Sequence, residues 1–281
     1  MKIRLLVSIL LLFQTIIFCQ VYKEADVKVC ESKFKIAEKE NLKVKPIGEV
    51  IARIGESFTG TDYRAFALER EGEEKLVVDL TGLDCTTFIE NALVFARLIK
   101  KDSTSFDSYV RELTHIRYRN GIINKYPSRL HYFTDWIYDN VKKDVVEDIT
   151  KDLGGEKVKF EINFMSTHPD LYKHLKGNPL FIPIIKAQEE AINTRTYYYI
   201  PKGKVKSIEG ELRDGDIIAF TTTVSGLDVS HTGIAVKGKD GRIHLLHEPQ
   251  PNMRVYTTKE TLSDYIINSK KHTGIIVLRA L

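Results

Sequence analysis

The sequence predicts a protein of the α+β class, and two patterns carry that expectation. From Cys85 onward, Phe88, Ala92, Phe95, Ala96 and Ile99 recur at spacings of three and four, the stripe of an amphipathic helix. Between Ile217 and His247 the chain reads as strand, polar loop, strand, turn and strand, an antiparallel arrangement. The composition around them is that of a globular protein. Its 281 residues are 43% hydrophobic, 10% aromatic and 28% charged, which excludes a disordered chain, a collagen-like repeat or a disulfide-dense miniprotein. With 42 Lys plus Arg against 38 Asp plus Glu the formal charge is only +4, so no nucleic acid partner is expected.

The amino terminus stands apart from that core. Lys2 and Arg4 precede an almost unbroken apolar run from Leu5 to Phe18, shorter than the roughly 20 residues of a spanning helix and ordered like a secretory signal. Residues 1–19 are therefore expected to be a signal peptide cleaved near Cys19–Gln20, which exports the protein to the periplasm with no stable membrane insertion afterwards. An uncleaved anchor is one alternative. Lipidation of Cys19 is another, although the bulky Ile17–Phe18 pair before it fits a lipoprotein cleavage site poorly. Residues 20–281 are expected to form a single catalytic domain, with 20–50 as a helical lead-in.

Two cysteines then remain, Cys30 and Cys85. An oxidising compartment allows them to pair. Their settings differ, because Cys30 lies in a polar, lysine-rich stretch whereas Cys85 opens the strong helix. Asp84 is a good N-cap for that helix, and Thr87 with Glu90 offers a competing capping box. In either case Cys85 sits within about one turn of the N-terminus. Unpaired amides and the positive dipole end favour a thiolate there, and such sites lower a cysteine pKa from about 8.5 to roughly 3.5–7.5. Further along, Thr134 to Val141 looks helical, and on one reading Tyr132 and Trp136, four apart, form the apolar face of a helix beginning near Leu130. Residues 157–164 alternate like a half-exposed strand. A short helix is expected over Pro169 to Lys176, a longer one over Ile182 to Ile192 and a strand over Thr196 to Ile200.

A nucleophile needs a base, and the hairpin supplies His231, His244 and His247. If its loop is the three residues Lys239, Asp240 and Gly241, with Gly241 left-handed in a bulge, His247 shares a face with His231. Asp-Gly at the loop's end favours that form; a loop of two or four residues would bring His244 there instead. A metal site from Asp228, His231, His244 and His247 is conceivable, but no His-x-Glu or Cys-x-x-Cys pattern accompanies it. Neither a metal nor any other cofactor is expected.

These residues carry a family resemblance. Asp84–Cys85–Thr86–Thr87, the Gly215–Phe220 strand, Ser230–His231–Thr232–Gly233–Ile234–Ala235 and the strand ending in His247 resemble the NlpC/p60-type cell-wall hydrolases. Residues 73–80, 128–136 and 226–231 resemble one branch in particular, the N-acetylmuramoyl-L-alanine amidases. The resemblance, from about Ile51 to the C-terminus, implies a papain-like fold: an antiparallel sheet packed against helices, with the nucleophile at a helix N-terminus. It implies Cys85 as nucleophile, His231 as general base and His247 as the residue orienting His231. The wider family places its third residue in a His-Ala-Ser segment, whereas Glu248–Pro249 follows His247 here.

The amidase branch implies a peptidoglycan fragment as partner, with the lactyl carbonyl of muramic acid as the acyl group and L-alanine as the leaving amine. The acidic peptide stem calls for cationic donors. Arg129 and His131 are the candidates, followed by Arg117 and Arg119; equally, Arg129 caps the helix after it. Tyr63, in Gly60–Thr61–Asp62–Tyr63, matches a region near the family's active site, or is a packed aromatic at a strand start. Asp84 corresponds to an aspartate that grips a free amine in endopeptidase relatives, or only caps its helix. Two other functions stay open: a γ-D-glutamyl-diamino acid endopeptidase and a catalytically silent wall-binding protein.

Overall fold

The computed structural model describes residues 20–249 and 253–281. The run read as an export signal, with Cys19, lies outside them. Among the described residues no helix is long and apolar enough to cross a membrane.

Two short parallel pairs, β1 (Gln20–Val21) with β3 (Leu76–Val77) and β2 (Asp62–Tyr63) with β4 (Gly82–Leu83), border an eight-stranded antiparallel sheet. That sheet is built from β5 (Val146–Asp148), β6 (Glu156–Val158), β7 (Tyr197–Pro201), β8 (Ile217–Thr222), β9 (Val229–Lys237), β10 (Ile243–His247), β11 (Tyr256–Thr261) and β12 (His272–Ala280). Its order is β11-β10-β9-β8-β12-β7-β6, and β5 also pairs with β12. Helices α1 (Glu24–Lys39), α2 (Ile47–Glu56), α3 (Cys85–Lys100), α4 (Phe106–Arg117) and α5 (Phe133–Lys142) precede the sheet's first strand. Later come α6 (Phe164–Thr167), α7 (Lys173–Gly177), α8 (Phe181–Asn193), α9 (Val205–Ile208) and α10 (Leu262–Ile267).

Both faces of the sheet are covered, which explains why β8 is a continuous apolar run and not an alternating one. On one face Ile217, Ala219, Ile234, Val236 and Leu246 pack with α2 and α3. On the other, Ile218, Phe220, Ala235 and Leu245 meet Val205, Ile208, Leu262 and Ile266 of α9 and α10. The predicted helix is α3, and every residue from Thr87 to Ile99 is buried. The lead-in is not peripheral to it: Cys30, Phe34 and Val50 belong to the same core. Both cysteines are free, so the pairing that an oxidising compartment allows is not realised; Cys30 is enclosed, and burial with Glu31 nearby pushes its thiol up to about 12.

The hairpin has the three-residue loop. Ile243 pairs with Lys237 and Leu246 with Ile234, Gly241 has φ +77°, and His247 stands on the face of His231. Gly233 lies between their rows, where a Cβ would meet Leu245 Cδ1 at 2.7 Å. Two expectations shift. Of the alternating 157–164 segment only Lys157 and Val158 join the sheet, as part of β6, because the Asn193 side chain takes both backbone groups of Ile162, at 2.7 and 2.9 Å, in place of a ladder partner. The helix expected over Thr134 to Val141 is α5, but it does not reach back to Leu130 as the alternative reading required, since Arg129 bridges in extended form to Tyr118.

Candidate active site

The start of α3 is built by its cap. Thr87 N–H donates to Asp84 Oδ1 at 2.7 Å while Asp84 N–H donates to Thr87 Oγ1 at 2.8 Å, a reciprocal capping box. Glu90 does not compete, because Arg117 Nε and Trp136 Nε1 hold its carboxylate at 2.8 and 3.1 Å. Of the four orphan amides of a helix start, the box satisfies those of Asp84 and Thr87. It leaves those of Cys85 and Thr86 unclaimed by the cap. Thr232 ties the sheet to this point, its hydroxyl donating to the Cys85 carbonyl at 2.8 Å.

Because Thr232 is anchored there, its neighbour His231 is held beside the same helix end. Cys85 and His231 line one pocket of about 180 Å³, with His131, Tyr172 and residues 227–230, where the chain enters β9, as further walls. His231 Nε2 and His247 Nδ1 are 2.7 Å apart, which leaves His231 Nδ1 as the ring nitrogen for the pocket. The pair is packed by aromatic rings. Phe220 stacks on His231, His272 lies nearly parallel to it at 12°, and Tyr256 and Tyr265 flank His247 at 5.0 and 5.3 Å.

Burial sets the charge state of these groups. It pushes His231 well below its ordinary value, with the His247 and His272 rings adding to the effect. His247 falls to about 3 and His272 to about 4, again mainly by burial. The Cys85 thiol moves up to about 11, through burial and then Asp84, against donors from Thr232 and Thr86 that favour the thiolate. The resting pair is therefore a neutral thiol beside a neutral imidazole. Both shifts run against the thiolate expected of a helix N-terminus, through enclosure and the capping carboxylate. Among the described residues no group of three or more His, Cys, Asp or Glu is placed to hold a metal ion. Asp228 instead accepts from Thr134 N–H and Oγ1, both at 2.7 Å, and His244 is engaged with Asp240 and the carbonyls of Thr258 and Glu260.

A family model described as AmiA-like, N-acetylmuramoyl-L-alanine amidase-like, matches residues 53–275. The chain belongs to that family. An N-acetylmuramoyl-L-alanine amidase from Bacteroides uniformis is 35% identical, with a TM-score of 0.79 over 83% of this chain and 98% of that one. A Bacteroides fragilis protein provisionally named a xylanase is 41% identical, with a TM-score of 0.75 over 80% and 98%. A protein from Legionella pneumophila, at 21% identity and a TM-score of 0.67 over 92% and 97%, shares the fold. No curated protein matches the chain.

Within this amidase-like chain the other predicted residues divide. His131 lines the Cys85 pocket, with Nε2 held by the Tyr126 carbonyl at 3.0 Å. Tyr63 is half-buried near Asp84, Cys85 and Glu248, and burial first, then their charges, push its hydroxyl up to about 12. Asp84 caps α3. Arg129 is placed otherwise than a substrate donor requires: it is 4% exposed and engaged internally with Glu69 at 2.6 Å, Glu74 at 3.5 Å and the Leu68 carbonyl at 3.0 Å. Arg117 and Arg119 are engaged likewise, with Glu90 and Asp135. Sequence reasoning missed Glu248, Tyr256, Tyr265 and His272. Glu248 alone carried a signal, as the residue that breaks the family's His-Ala-Ser pattern.

Proposed function

We propose that this protein is an exported, papain-like cysteine amidase of the NlpC/p60 kind that cleaves the N-acetylmuramoyl–L-alanine bond of peptidoglycan fragments. The observation that carries the reading is the shared pocket: the Cys85 thiol and His231 line it together, and His247 occupies the far nitrogen of the base. Membership of the amidase-like family supports the bond and the substrate class.

The chemistry follows from the neutral resting pair. As sulfur attacks the lactyl carbonyl, the thiol proton passes to His231 Nδ1. His231 is then an imidazolium whose Nε2–H donates to His247 Nδ1, an acceptor that must itself stay neutral, and a value of about 3 keeps it so. The negative oxygen of the tetrahedral intermediate meets the leftover amides of Cys85 and Thr86, each donor of this type contributing about 2.7–4 kcal/mol in known enzymes. His231 returns its proton to the L-alanine nitrogen as the C–N bond breaks. Water, deprotonated by His231, then cleaves the thioester and restores the thiol.

Weighing the products formed from a muramoyl tetrapeptide tests this. The wild type should release the intact tetrapeptide, and Cys85→Ala should lower the rate by at least about a thousandfold. A cut after the second stem residue would indicate the endopeptidase, no products from the wild type a silent binding protein. Hydrolysis that survives in Cys85→Ala would exclude the thiol mechanism.

A further inference from the structure

One buried carboxyl stands beside the reaction centre with no part in the chemistry above. Glu248 is fully enclosed, and neither of its oxygens has a hydrogen-bond partner among the described residues. Leaving a buried carboxyl unpaired costs stability, so its position calls for a reason. His247 shares the face of His231, whereas Leu246 lies on the opposite face, against α2 and α3. Glu248, two residues past Leu246, continues toward that second face. There Tyr63 N–H donates to the Met253 carbonyl at 3.1 Å and Val255 N–H to the Thr61 carbonyl at 3.0 Å, which laces the segment after Glu248 onto β2. Tyr63 in turn pairs with Leu83, just before Asp84 and Cys85. Burial acts first on the Tyr63 hydroxyl, and Asp84, Cys85 and Glu248 then act on it together. Glu248 is thus on the sulfur's side of the Cys85–His231 pair.

The groups around it are acidic or phenolic. Asp62 and Tyr63 come from β2, and Asp84 and Cys85 from the start of α3. Tyr256 comes from β11, where burial acts first and Glu260 and Glu248 follow. Arg254 is closed on Asp62, Nε to Oδ1 at 2.8 Å. Burial, then Asp62 and Asp84, push the Glu248 carboxyl up to about 7. The reacting groups are displaced away from neutrality: His231 well below its ordinary value, His247 to about 3 and Cys85 to about 11, with His272 at about 4 and Tyr63 at about 12. Of these six groups, Glu248 is the one that changes charge between pH 6 and 8.

We propose that Glu248 is a positioning residue for the reaction at Cys85: its uncharged carboxyl leaves the start of α3 receptive to negative charge on the sulfur and on the tetrahedral oxygen, and its carboxylate form suppresses both. Glu248 exchanges no proton with the substrate and acts only through its field. A third carboxylate beside Asp62 and Asp84 opposes the charge that forms as sulfur attacks. The matching positive charge forms on His231, on the opposite face of the sheet, so the two effects do not cancel. Turnover is therefore lost as pH rises through neutrality. That the reaction is amide cleavage rests on the function proposed above.

The pH dependence of kcat/KM for muramoyl tetrapeptide tests this role. The wild type should lose about tenfold between pH 6 and pH 8, the change that one ionisation near 7 produces. Neither Glu248→Gln nor Glu248→Leu can ionise, and in each the loss should shrink to about twofold or less. A side chain that merely packs would lower activity by the same factor at every pH. Iodoacetamide alkylation of Cys85, located by peptide mass, gives a second reading that needs no substrate. The rate of Glu248→Gln relative to wild type should rise at least about threefold from pH 6 to pH 9, because only the wild type gains a carboxylate beside the thiol. A pH dependence shared by wild type and both variants, in either reading, would overturn the proposal. If the alkylation ratio rises as expected while the wild type releases no intact tetrapeptide, the amidase reading fails and the role of Glu248 at the thiol stands.

Discussion

Buried charge is handled in opposite ways in two parts of this molecule. On the helical side, Glu90 meets Arg117 and Trp136, Arg129 meets Glu69 and Glu74, and Asp135 lies between Arg119 and Arg195. Each guanidinium there closes on a carboxylate. Single atoms of those pairs, Arg119 Nε, Arg129 Nε and Glu69 Oε2, are left without a hydrogen bond, but on the histidine side His247 Nε2, His272 Nδ1 and both Glu248 carboxylate oxygens are buried without a hydrogen-bond partner among the described residues, and Glu248 has no cation beside it. Native interiors rarely tolerate such atoms. The contrast teaches that a buried arginine closed on a carboxylate is first a scaffold element, while a buried carboxyl with no cation to meet it, such as Glu248, marks where the fold gives up stability beside the histidines.

That comparison breaks or sharpens under substitution. The largest expected effect is on the paired side: Arg117→Ala leaves the Glu90 carboxylate uncompensated and should cost about 3–5 kcal/mol in denaturant unfolding, as removing one partner of a buried pair does. A loss below about 1 kcal/mol would show that the pair is not structural. On the other side, His247→Ala should lower kcat/KM by about a hundredfold, the scale of acid–base contributions, with His244→Ala within about threefold of wild type. The reverse ranking would assign the supporting role to His244 and break the hairpin argument.

The smallest effect concerns Glu248, whose carboxyl is pushed from 4.5 up to about 7 by burial, then by Asp62 and Asp84. A raised folded-state value favours folding while the group is protonated. Its contribution is complete below about 4.5 and is lost as pH rises toward 7. Glu248→Gln cannot ionise, so the variant should gain on wild type by about 1–3 kcal/mol between pH 4.5 and 8, read from paired denaturant titrations. A constant difference at both pH values would mean that Glu248 ionises as freely in the folded protein as in the unfolded chain.

Much of the site was legible because local chemistry specified it. Asp84, Cys85 and Thr87 encode a capped helix start whatever surrounds them, and Asp240–Gly241 with its left-handed glycine sets a register that carries His247 onto the face of His231. What resisted reading was any property that depends on who lies opposite. Arg129 and Lys125 are both cations close in sequence, yet one is enclosed by Glu69 and Glu74 and the other is exposed at a cavity rim. Periodicity failed at 159–163 for the same reason, because the competing partner was the side chain of the distant Asn193.

The sequence by itself determined the α+β class, the helix that opens at Cys85 and the parity of the histidine hairpin, since each follows from contacts a few residues apart. Only the tertiary structure decided the ionisation states and the neighbours. The thiol is pushed up and the imidazole down by what encloses them, His272 joins His231 across the sheet, and Lys125 and Lys173 meet at one cavity. The physical reason is range: hydrogen-bonded turns are settled by adjacent residues, whereas desolvation and charge pairing depend on every group the folded chain brings within a few ångströms.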